Sequence, residues 1–206
     1  MIETEQKAAV QQCVPQRMQD YQVPGVSITC IHTGRLAWSQ GWGVTDKESN
    51  LPVTQDTVFE AASLGKPVLA YAALKLCETG VLTLDAPLSD YLPEPYIPNC
   101  PSLEQVTLRR VLSHTSGFPN WRPKRFSPQP SPLTINFAPG ERFSYSGEGY
   151  KYLQRVIEHL TNQPLVDYIE ANVFLPLQMT LCAYVWREPY QMLLARGHDR
   201  NGKPVP

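Results

Sequence analysis

Ser63-Leu64-Gly65-Lys66 is the stretch of this sequence on which the interpretation of the rest depends. It stands directly before a run whose apolar residues recur at helical spacing, namely Leu69, Ala72, Ala73 and Leu76. Gly80 follows at the place where a helix commonly ends in the left-handed conformation. The stretch is therefore predicted to stand at the N-terminus of a helix that buries one apolar face.

The spacing of Ser63 and Lys66 suggests two side chains that can react together. Residues three apart on a helix share a face, so the lysine amine can approach the serine hydroxyl. A serine is activated when a neighbouring base takes its proton, and Lys66 is a candidate base if burial or a nearby positive charge lowers its pKa. The N–H groups at the helix start also favour developing negative charge. A helix cap followed by a surface lysine explains the motif equally well.

Tyr145 is a second candidate for chemistry. The turn dipeptide Pro139-Gly140 leads towards Tyr145-Ser146-Gly147, and Ser146 is a suitable cap for a helix that follows. Beside a cationic lysine, a tyrosine held at this place is favoured as its phenolate and can act as a general base. The alternative is a partly buried structural tyrosine.

The residues before Ser63 predict a helix and a hairpin. Residues 8–21 carry apolar side chains at intervals of three and four, which predicts an amphipathic helix that Pro15 can kink: Val10, Cys13, Val14, Met18 and Tyr21. Residues 26–32 and 36–44 favour two strands, with residues 33–35 as the turn between them. We therefore expect an antiparallel hairpin after the first helix.

The chain after residue 52 is predicted to be mostly helical. Thr107 can cap a helix over residues 108–116 that Gly117 ends. Two more apolar stripes follow: Leu153, Val156, Ile157 and Leu160, then Leu165, Tyr168, Ile169 and Val173. Residues 121–132 form an extended surface loop, because prolines and cations alternate there: Pro123, Pro128, Pro130 and Pro132 with Arg122, Lys124 and Arg125. This loop is either the rim of a substrate site or a plain connector.

Several blocks of the sequence, in order, resemble the class C β-lactamase-related serine hydrolases and penicillin-binding-protein-like enzymes. The blocks are residues 59–67, 80–93, 112–117, 139–150 and 174–180. Gln178 stands in the last block where this family more usually has glycine. The order of the blocks, which together with the hairpin span residues 26–180, is far more specific than any single motif.

The resemblance implies roles for the candidate residues. Ser63 would be acylated, Lys66 and Tyr145 would share the proton transfer, and the Ser63 N–H would form half of an oxyanion hole. Gly147 stands where many relatives carry an asparagine that contacts the substrate amide, which favours ester or peptide-like substrates over efficient β-lactam turnover. Trp121 and Tyr150 are expected beside the substrate, with apolar packing as the alternative.

The implied fold class is α+β, β-lactamase/transpeptidase-like, and incomplete. Residues 1–50 would contribute the N-terminal helix and hairpin to a sheet domain, and residues 51–206 the helical region. The family's Lys-Thr-Gly or His/Lys-x-Gly strand has no match after Tyr145, since His32-Thr33-Gly34 precedes Ser63, so the C-terminal sheet portion is expected to be absent. The hairpin then needs a cover, and loss of one oxyanion donor would slow the reaction by on the order of 10²–10³.

Three hypotheses of function follow. The leading one is a serine hydrolase that works through an acyl-enzyme on ester, amide or β-lactam-like substrates, weakly or not at all as this chain. The second is a catalytically silent fragment that serves as a binding or oligomerising module, with a second copy or a complementing C-terminal fragment as partner. The third is an α/β-hydrolase whose nucleophile elbow at residues 61–65 works with His114, His159 or His198, although no buried strand is predicted before the serine.

Composition narrows the partners and the location. With 18 Lys and Arg against 19 Asp and Glu, the net charge of −1 gives no electrostatic reason to expect nucleic acid or an anionic membrane. The five cysteines have no metal-binding spacing, so reduced, mostly buried thiols and no metal or cofactor are expected. The polar N-terminus lacks a secretory signal and no segment resembles a membrane span, so a cytoplasmic location is expected, or a periplasmic one if a leader is removed.

Overall fold

The computed structural model describes residues 2–123, 126–128 and 131–205. The chain forms two compact units, the first consisting of Met1–Ala62 with Leu181–Pro206 and the second of Ser63–Thr180. The division therefore falls after Ala62, whereas the sequence suggested a boundary after residue 50. The sequence also assigned the last residues to the helical region, and the structure joins them to the N-terminal unit instead.

The first unit starts with α1, Ile2–Tyr21. The predicted helix is confirmed, and it begins at Ile2 rather than at residue 8. Its partly buried face contains Val10, Val14 and Met18, whereas Cys13 and Tyr21 are exposed, contrary to the predicted face. Met18 packs so closely on Gly43 that a Cβ added to this glycine would lie 2.6 Å from Met18 Cε. The apolar stripe is therefore narrower than the pattern indicated.

The antiparallel hairpin is also confirmed. Strand β1, Gly25–His32, pairs with β2, Arg35–Gly43, and the register shifts between Cys30 and Ile31. Only Thr33 and Gly34 form the turn, with φ of 49° and 74°. Positive φ at both central residues is typical of a two-residue hairpin turn that matches the twist of the strands.

Residues from the C-terminal end complete the first unit through backbone pairing. The Val58 N–H donates to the Leu193 carbonyl at 2.9 Å, and the Ala195 N–H donates to the Val58 carbonyl at 2.8 Å. The Arg196 N–H donates to the Thr45 carbonyl at 2.9 Å. These bonds, which follow the 3₁₀ helix Glu188–Met192, explain why residues 181–206 do not belong to the helical region.

The second unit is helical. Its helices are α2, Gly65–Glu78; α3, Leu108–Leu112; α4, Gly147–Thr161; and α5, Leu165–Ile169, which continues as a π-helical turn, Glu170–Phe174. Short 3₁₀ turns lie at Ala62–Leu64, Leu88–Tyr91 and Pro101–Gln105. The predicted stripes form its core, because every stripe residue except the half-exposed Leu160 is buried. Gly80 ends α2 with φ of 75°, as predicted.

Helix α3 is shorter than predicted. Thr107 caps it, accepting a hydrogen bond from the Arg110 N–H at 3.3 Å, but the helix ends at Leu112 instead of Ser116. His114 takes a left-handed conformation with φ of 57°. The Thr115 N–H then donates to the Arg110 carbonyl at 2.8 Å, and the His114 N–H to the Val111 carbonyl at 3.1 Å. This is the Schellman arrangement, usually formed with glycine.

The segment 121–132 contains no helix or strand in its described residues, in agreement with the predicted loop. Lys124, Arg125 and Pro130, which that prediction also used, lie outside the described residues. Arg122 anchors the start of the loop, because its side chain pairs with Glu148 at the start of α4, 3.0 Å away. The loop is therefore tied to the helical unit at Arg122.

The prediction of mostly buried thiols is wrong. Cys13 is exposed, and the other four cysteines, Cys30, Cys77, Cys100 and Cys182, are only partly buried. Across residues 2–123, 126–128 and 131–205, no helix has both the length and the apolar character needed to cross a membrane.

Candidate active site

Ser63 and Lys66 meet as the spacing predicts. Ser63 lies in the 3₁₀ turn that leads into α2, and Lys66 lies in the first turn of α2. The Lys66 Nζ donates a hydrogen bond to the Ser63 Oγ at 3.1 Å. Ala62, directly before the serine, has φ of 44°, an uncommon conformation for a residue with a side chain. The serine hydroxyl is exposed and already held by a lysine.

Tyr145 joins this pair from the segment before α4. The Lys66 Nζ lies 4.9 Å from the centroid of the Tyr145 ring. Hydrogen bonding by Lys66, and then by Ser63, lowers the pKa of the Tyr145 phenol, and this effect exceeds the opposing effect of burial. The phenolate is therefore easier to form here than in water. The structure thus brings together all three residues that the sequence proposed for chemistry.

The start of α4 holds Tyr145 in place through its neighbour Ser146. The Ser146 Oγ accepts from the Gly149 N–H at 2.9 Å, which confirms the predicted cap. The same hydroxyl donates to the Pro119 carbonyl at 3.1 Å. Ser146 is buried, so both bonds are shielded from water.

His114 lies directly beside Tyr145. The two ring centroids are 4.4 Å apart, and the Tyr150 ring lies 5.3 Å from the imidazole on the α4 side. The Nδ1 of His114 accepts a hydrogen bond from the Ser146 N–H at 3.0 Å. Burial, and then the charge of Lys66, lower the pKa of His114. Sequence reasoning expected a hydrogen-bonded histidine at a helix end, but not its contact with the tyrosine.

The space beside Gly147 is occupied by another residue. Gly147 is buried, and its N–H donates to the Asn120 Oδ1 at 3.1 Å. A Cβ added to Gly147 would lie 2.7 Å from the Asn120 carbonyl oxygen and 3.0 Å from its Oδ1. Sequence reasoning missed Asn120, because no spacing rule links two residues that are 27 positions apart.

Trp121 and Tyr150 take different places. Trp121 is 48% exposed, and one edge of its ring would lie 3.4 Å from a Cβ on Gly147. Tyr150 is buried, and the Lys66 Nζ lies 5.7 Å from its ring centroid. Trp121 is thus available to a substrate at the surface of the unit, whereas Tyr150 packs beneath the lysine and His114.

A buried carboxylate, which the sequence did not reveal, lies in the first turn of α4, the helix that follows Tyr145. Glu148 has no exposed surface, and its two oxygens pair with Arg122 at 3.0 Å and with Lys151 at 3.1 Å. Burial acts to raise the pKa of Glu148, but the hydrogen bonds and charges of Arg122 and Lys151 outweigh it and lower the pKa. This network fixes the loop that carries Trp121 against α4.

Two other kinds of site were considered from the sequence. Within the described part of the chain, no three His, Cys, Asp or Glu side chains are grouped so that they could hold a metal ion. The α/β-hydrolase hypothesis is wrong, because the one pair of strands among the described residues is antiparallel and the residues before Ser63 form no strand. His159 is exposed on α4, and His198 belongs to the first unit.

Comparison with known proteins extends these observations over nearly the whole chain. The family model described as Beta-lactamase matches residues 10–206. Esterase EstB of Burkholderia gladioli is 31% identical over 212 residues, which are 89% of this chain and 52% of the esterase.

Two solved structures share the fold. The D-alanine carboxypeptidase AmpC of Burkholderia cenocepacia has a TM-score of 0.81 at 27% identity, over 98% of this chain and 57% of that one. An octameric penicillin-binding protein homologue from Pyrococcus abyssi has a TM-score of 0.78 at 28% identity, over 97% of this chain and 50% of that one. The chain thus spans about half the length of these relatives. As the sequence blocks predicted, the chain belongs to the β-lactamase family and has its α+β, β-lactamase/transpeptidase-like fold.

Proposed function

We propose that the protein is a serine hydrolase that forms an acyl-enzyme at Ser63. The observation that carries the proposal is the 3.1 Å contact between the Lys66 Nζ and the Ser63 Oγ, next to a tyrosine whose pKa these two residues lower. A serine needs a group that orients its hydroxyl and a base that takes its proton. Lys66 and Tyr145 supply these two functions.

The proposed reaction assigns the proton to Tyr145. A charged lysine has only donors, so Lys66 holds the Ser63 oxygen without accepting its proton. The Ser63 Oγ attacks the substrate carbonyl carbon while the Tyr145 phenolate takes the hydroxyl proton. The leaving group then departs with that proton, and an acyl ester remains on Ser63. Water attacks this ester, gives a proton to Tyr145, and releases the acid, after which Ser63 recovers its proton.

Esters are the proposed substrate class, with peptide-like amides second. Esterase EstB supports the first class and the D-alanine carboxypeptidase supports the second. Ser63 and Tyr145 are both exposed, which suits small acyl groups that need few contacts. Gly147 offers no side chain to a substrate amide, so we propose that β-lactams are turned over slowly.

The test is covalent labelling with a fluorophosphonate, which reacts with activated serines. The wild-type chain should gain one adduct on Ser63, located by peptide mass spectrometry, and Ser63→Ala should gain none. Tyr145→Phe should label more slowly, by roughly 10²–10⁴, because it lacks the general base. Ser102→Ala, which changes a serine remote from the site in sequence, is the matched control and should label like wild type. No wild-type adduct between about pH 6 and about pH 10, a range that spans the ordinary tyrosine pKa, would contradict the proposal.

A second candidate function is a binding or oligomerising module. It is favoured by the hairpin, whose two strands, both fully described, contain no buried residue. The Pyrococcus abyssi relative is octameric, which supports association of copies of this chain. The solution mass of the protein tests this candidate independently of its chemistry.

A further inference from the structure

His114 has an unusual conformation next to the reacting residues. Its φ of 57° is left-handed, a conformation that a residue with a side chain adopts only at an energetic cost. Glycine or asparagine would occupy this helix end more easily. A strained conformation of this kind persists only where surrounding contacts impose it. The contacts of His114 therefore indicate the role of this conformation.

Those contacts hold the backbone on both sides of Tyr145. The His114 carbonyl accepts from the Ser144 N–H at 2.8 Å, and the His114 Nδ1 accepts from the Ser146 N–H at 3.0 Å. The imidazole also lies against the Tyr145 ring, with centroids 4.4 Å apart and the ring planes tilted by 35°. Because the left-handed backbone turns its carbonyl and its ring towards the same segment, one residue fixes the residue before the tyrosine, the residue after it, and its ring.

We propose that His114 is a positioning residue, which keeps Tyr145 against Lys66 and Ser63 through an uncharged Nδ1, and that protonation of His114 releases this segment. The inference rests on the proposed function, in which Tyr145 is the base. Since Nδ1 accepts a hydrogen bond, the proton of the neutral ring is on Nε2. Protonation would place an N–H on Nδ1, facing the Ser146 N–H, and the bond would be lost.

The charges around His114 set the pH at which this happens. The titratable groups facing the ring are Lys66 from α2, Tyr145 from the preceding segment and Tyr150 from α4. The positive charge of Lys66 disfavours a second positive charge on the ring. Burial and this charge lower the pKa of His114 from its ordinary 6.5. The hydrogen bond from the Ser146 N–H to the neutral His114 ring is therefore fully present above pH 6.5. It is lost as the pH falls through the lowered pKa of His114.

The experiment compares His114→Asn with His114→Gly. Both residues tolerate the left-handed conformation, but only asparagine keeps an acceptor, its Oδ1, near the place of Nδ1. The first measurement is the fluorophosphonate labelling rate of Ser63 between about pH 5 and about pH 9. The second, which needs no activity, is hydrogen exchange of the Ser146 amide by NMR over the same range. This pH range is chosen because a histidine side chain ordinarily titrates within it.

The expected results differ for the three proteins. Wild type should lose Ser146 protection as the pH falls through the lowered pKa of His114, whereas His114→Asn should keep it. Protonation of Tyr145 slows labelling of both proteins alike, so the labelling rate of wild type should fall more steeply in acid than that of His114→Asn. His114→Gly should label about tenfold more slowly at every pH, which corresponds to the loss of one hydrogen bond, and its Ser146 amide should exchange at least that much faster.

Two results would overturn the inference. One is a glycine variant with the wild-type labelling rate and pH profile. The other is an asparagine variant that keeps the wild-type loss of Ser146 protection in acid. If wild type itself is not labelled, the proposed function fails, and the exchange measurement still decides whether His114 holds the tyrosine segment.

Discussion

The N–H of Gly147 donates to Asn120, and the carbonyl and side chain of Asn120 fill the space beside the glycine Cα. From the resemblance of the sequence to the family, we interpreted Gly147 as the loss of a side chain that contacts the substrate. The structure shows instead that Gly147 leaves room for the loop before Trp121, which packs directly on the start of α4. At the scale of single residues, a glycine here is required by close packing of two backbones.

Substitution of Gly147 tests this interpretation. A Cβ at this position would lie 2.7 Å from the Asn120 carbonyl oxygen, so Gly147→Ala and Gly147→Asn should each lower the free energy of unfolding by about 1–3 kcal/mol. Urea denaturation measures this change, and the alanine variant separates the effect of the Cβ from that of the amide. An asparagine variant as stable as wild type that acylates faster with a β-lactam would contradict the prediction.

Four helix ends in the second unit use the left-handed conformation, at Gly80, His114, Asn162 and Gln178. Glycine and asparagine adopt it at little cost, whereas histidine and glutamine do not. His114 is compensated by its bonds to the segment around Tyr145. Gln178 is exposed, and its side chain makes no hydrogen bond to the described residues. At the scale of elements, the glycine that is more usual in the family at this helix end is explained by the left-handed conformation, which glycine adopts at little cost.

Gln178→Gly should therefore stabilise the protein. With φ of 56° at position 178, the substitution removes left-handed strain, and we expect the free energy of unfolding to rise by about 1 kcal/mol. Gln163→Gly, at a partly buried position whose φ is not left-handed, is the control and should lower it slightly. Thermal and urea unfolding would both register the difference. A loss of stability in Gln178→Gly would show that the glutamine makes a compensating contact.

The two units differ in how they bury apolar surface. All of the largest fully buried side chains of the described residues lie in Ser63–Thr180, among them Tyr152, Phe118 and Leu82. In the first unit, Ile31 and Leu36 face each other across the hairpin and are 70% and 66% exposed. Unpaired strand edges with exposed apolar side chains favour association with another chain.

At the scale of the whole molecule, we expect the purified protein to associate through this hairpin. Analytical ultracentrifugation should give a concentration-dependent mass above the 23.2 kDa of one chain. The double variant Ile31→Lys with Leu36→Lys should return it towards that mass, because lysine on an edge strand opposes pairing. Val81→Lys, which alters an exposed apolar residue of the second unit, is the control. A monomeric wild type at about 100 μM, well above the μM range in which specific interfaces of ordinary size hold, would rule out this association.

The sequence by itself determined the features that depend on local spacing. Apolar residues recurring along the chain predicted α2, α4 and α5 with their buried faces, and alternating strand residues around a compact turn predicted the hairpin. The contact of Ser63 with Lys66 followed from a separation of three along one helical turn. The turn before Ser146 made Tyr145 a second candidate, and resemblance to a family then connected it to that pair, which no local rule does.

Only the tertiary structure decided what surrounds these residues. The bond from Ser146 to His114 joins positions 32 apart, and the pairing of Arg122 with Glu148 joins positions 26 apart. The last residues of the chain likewise pair with Val58 and Thr45 instead of extending the helical region. Such contacts depend on where loops cross in space, and residue types so far apart carry no periodicity that could reveal them. The sequence therefore identifies the candidate residues for chemistry, whereas the fold determines how they are held.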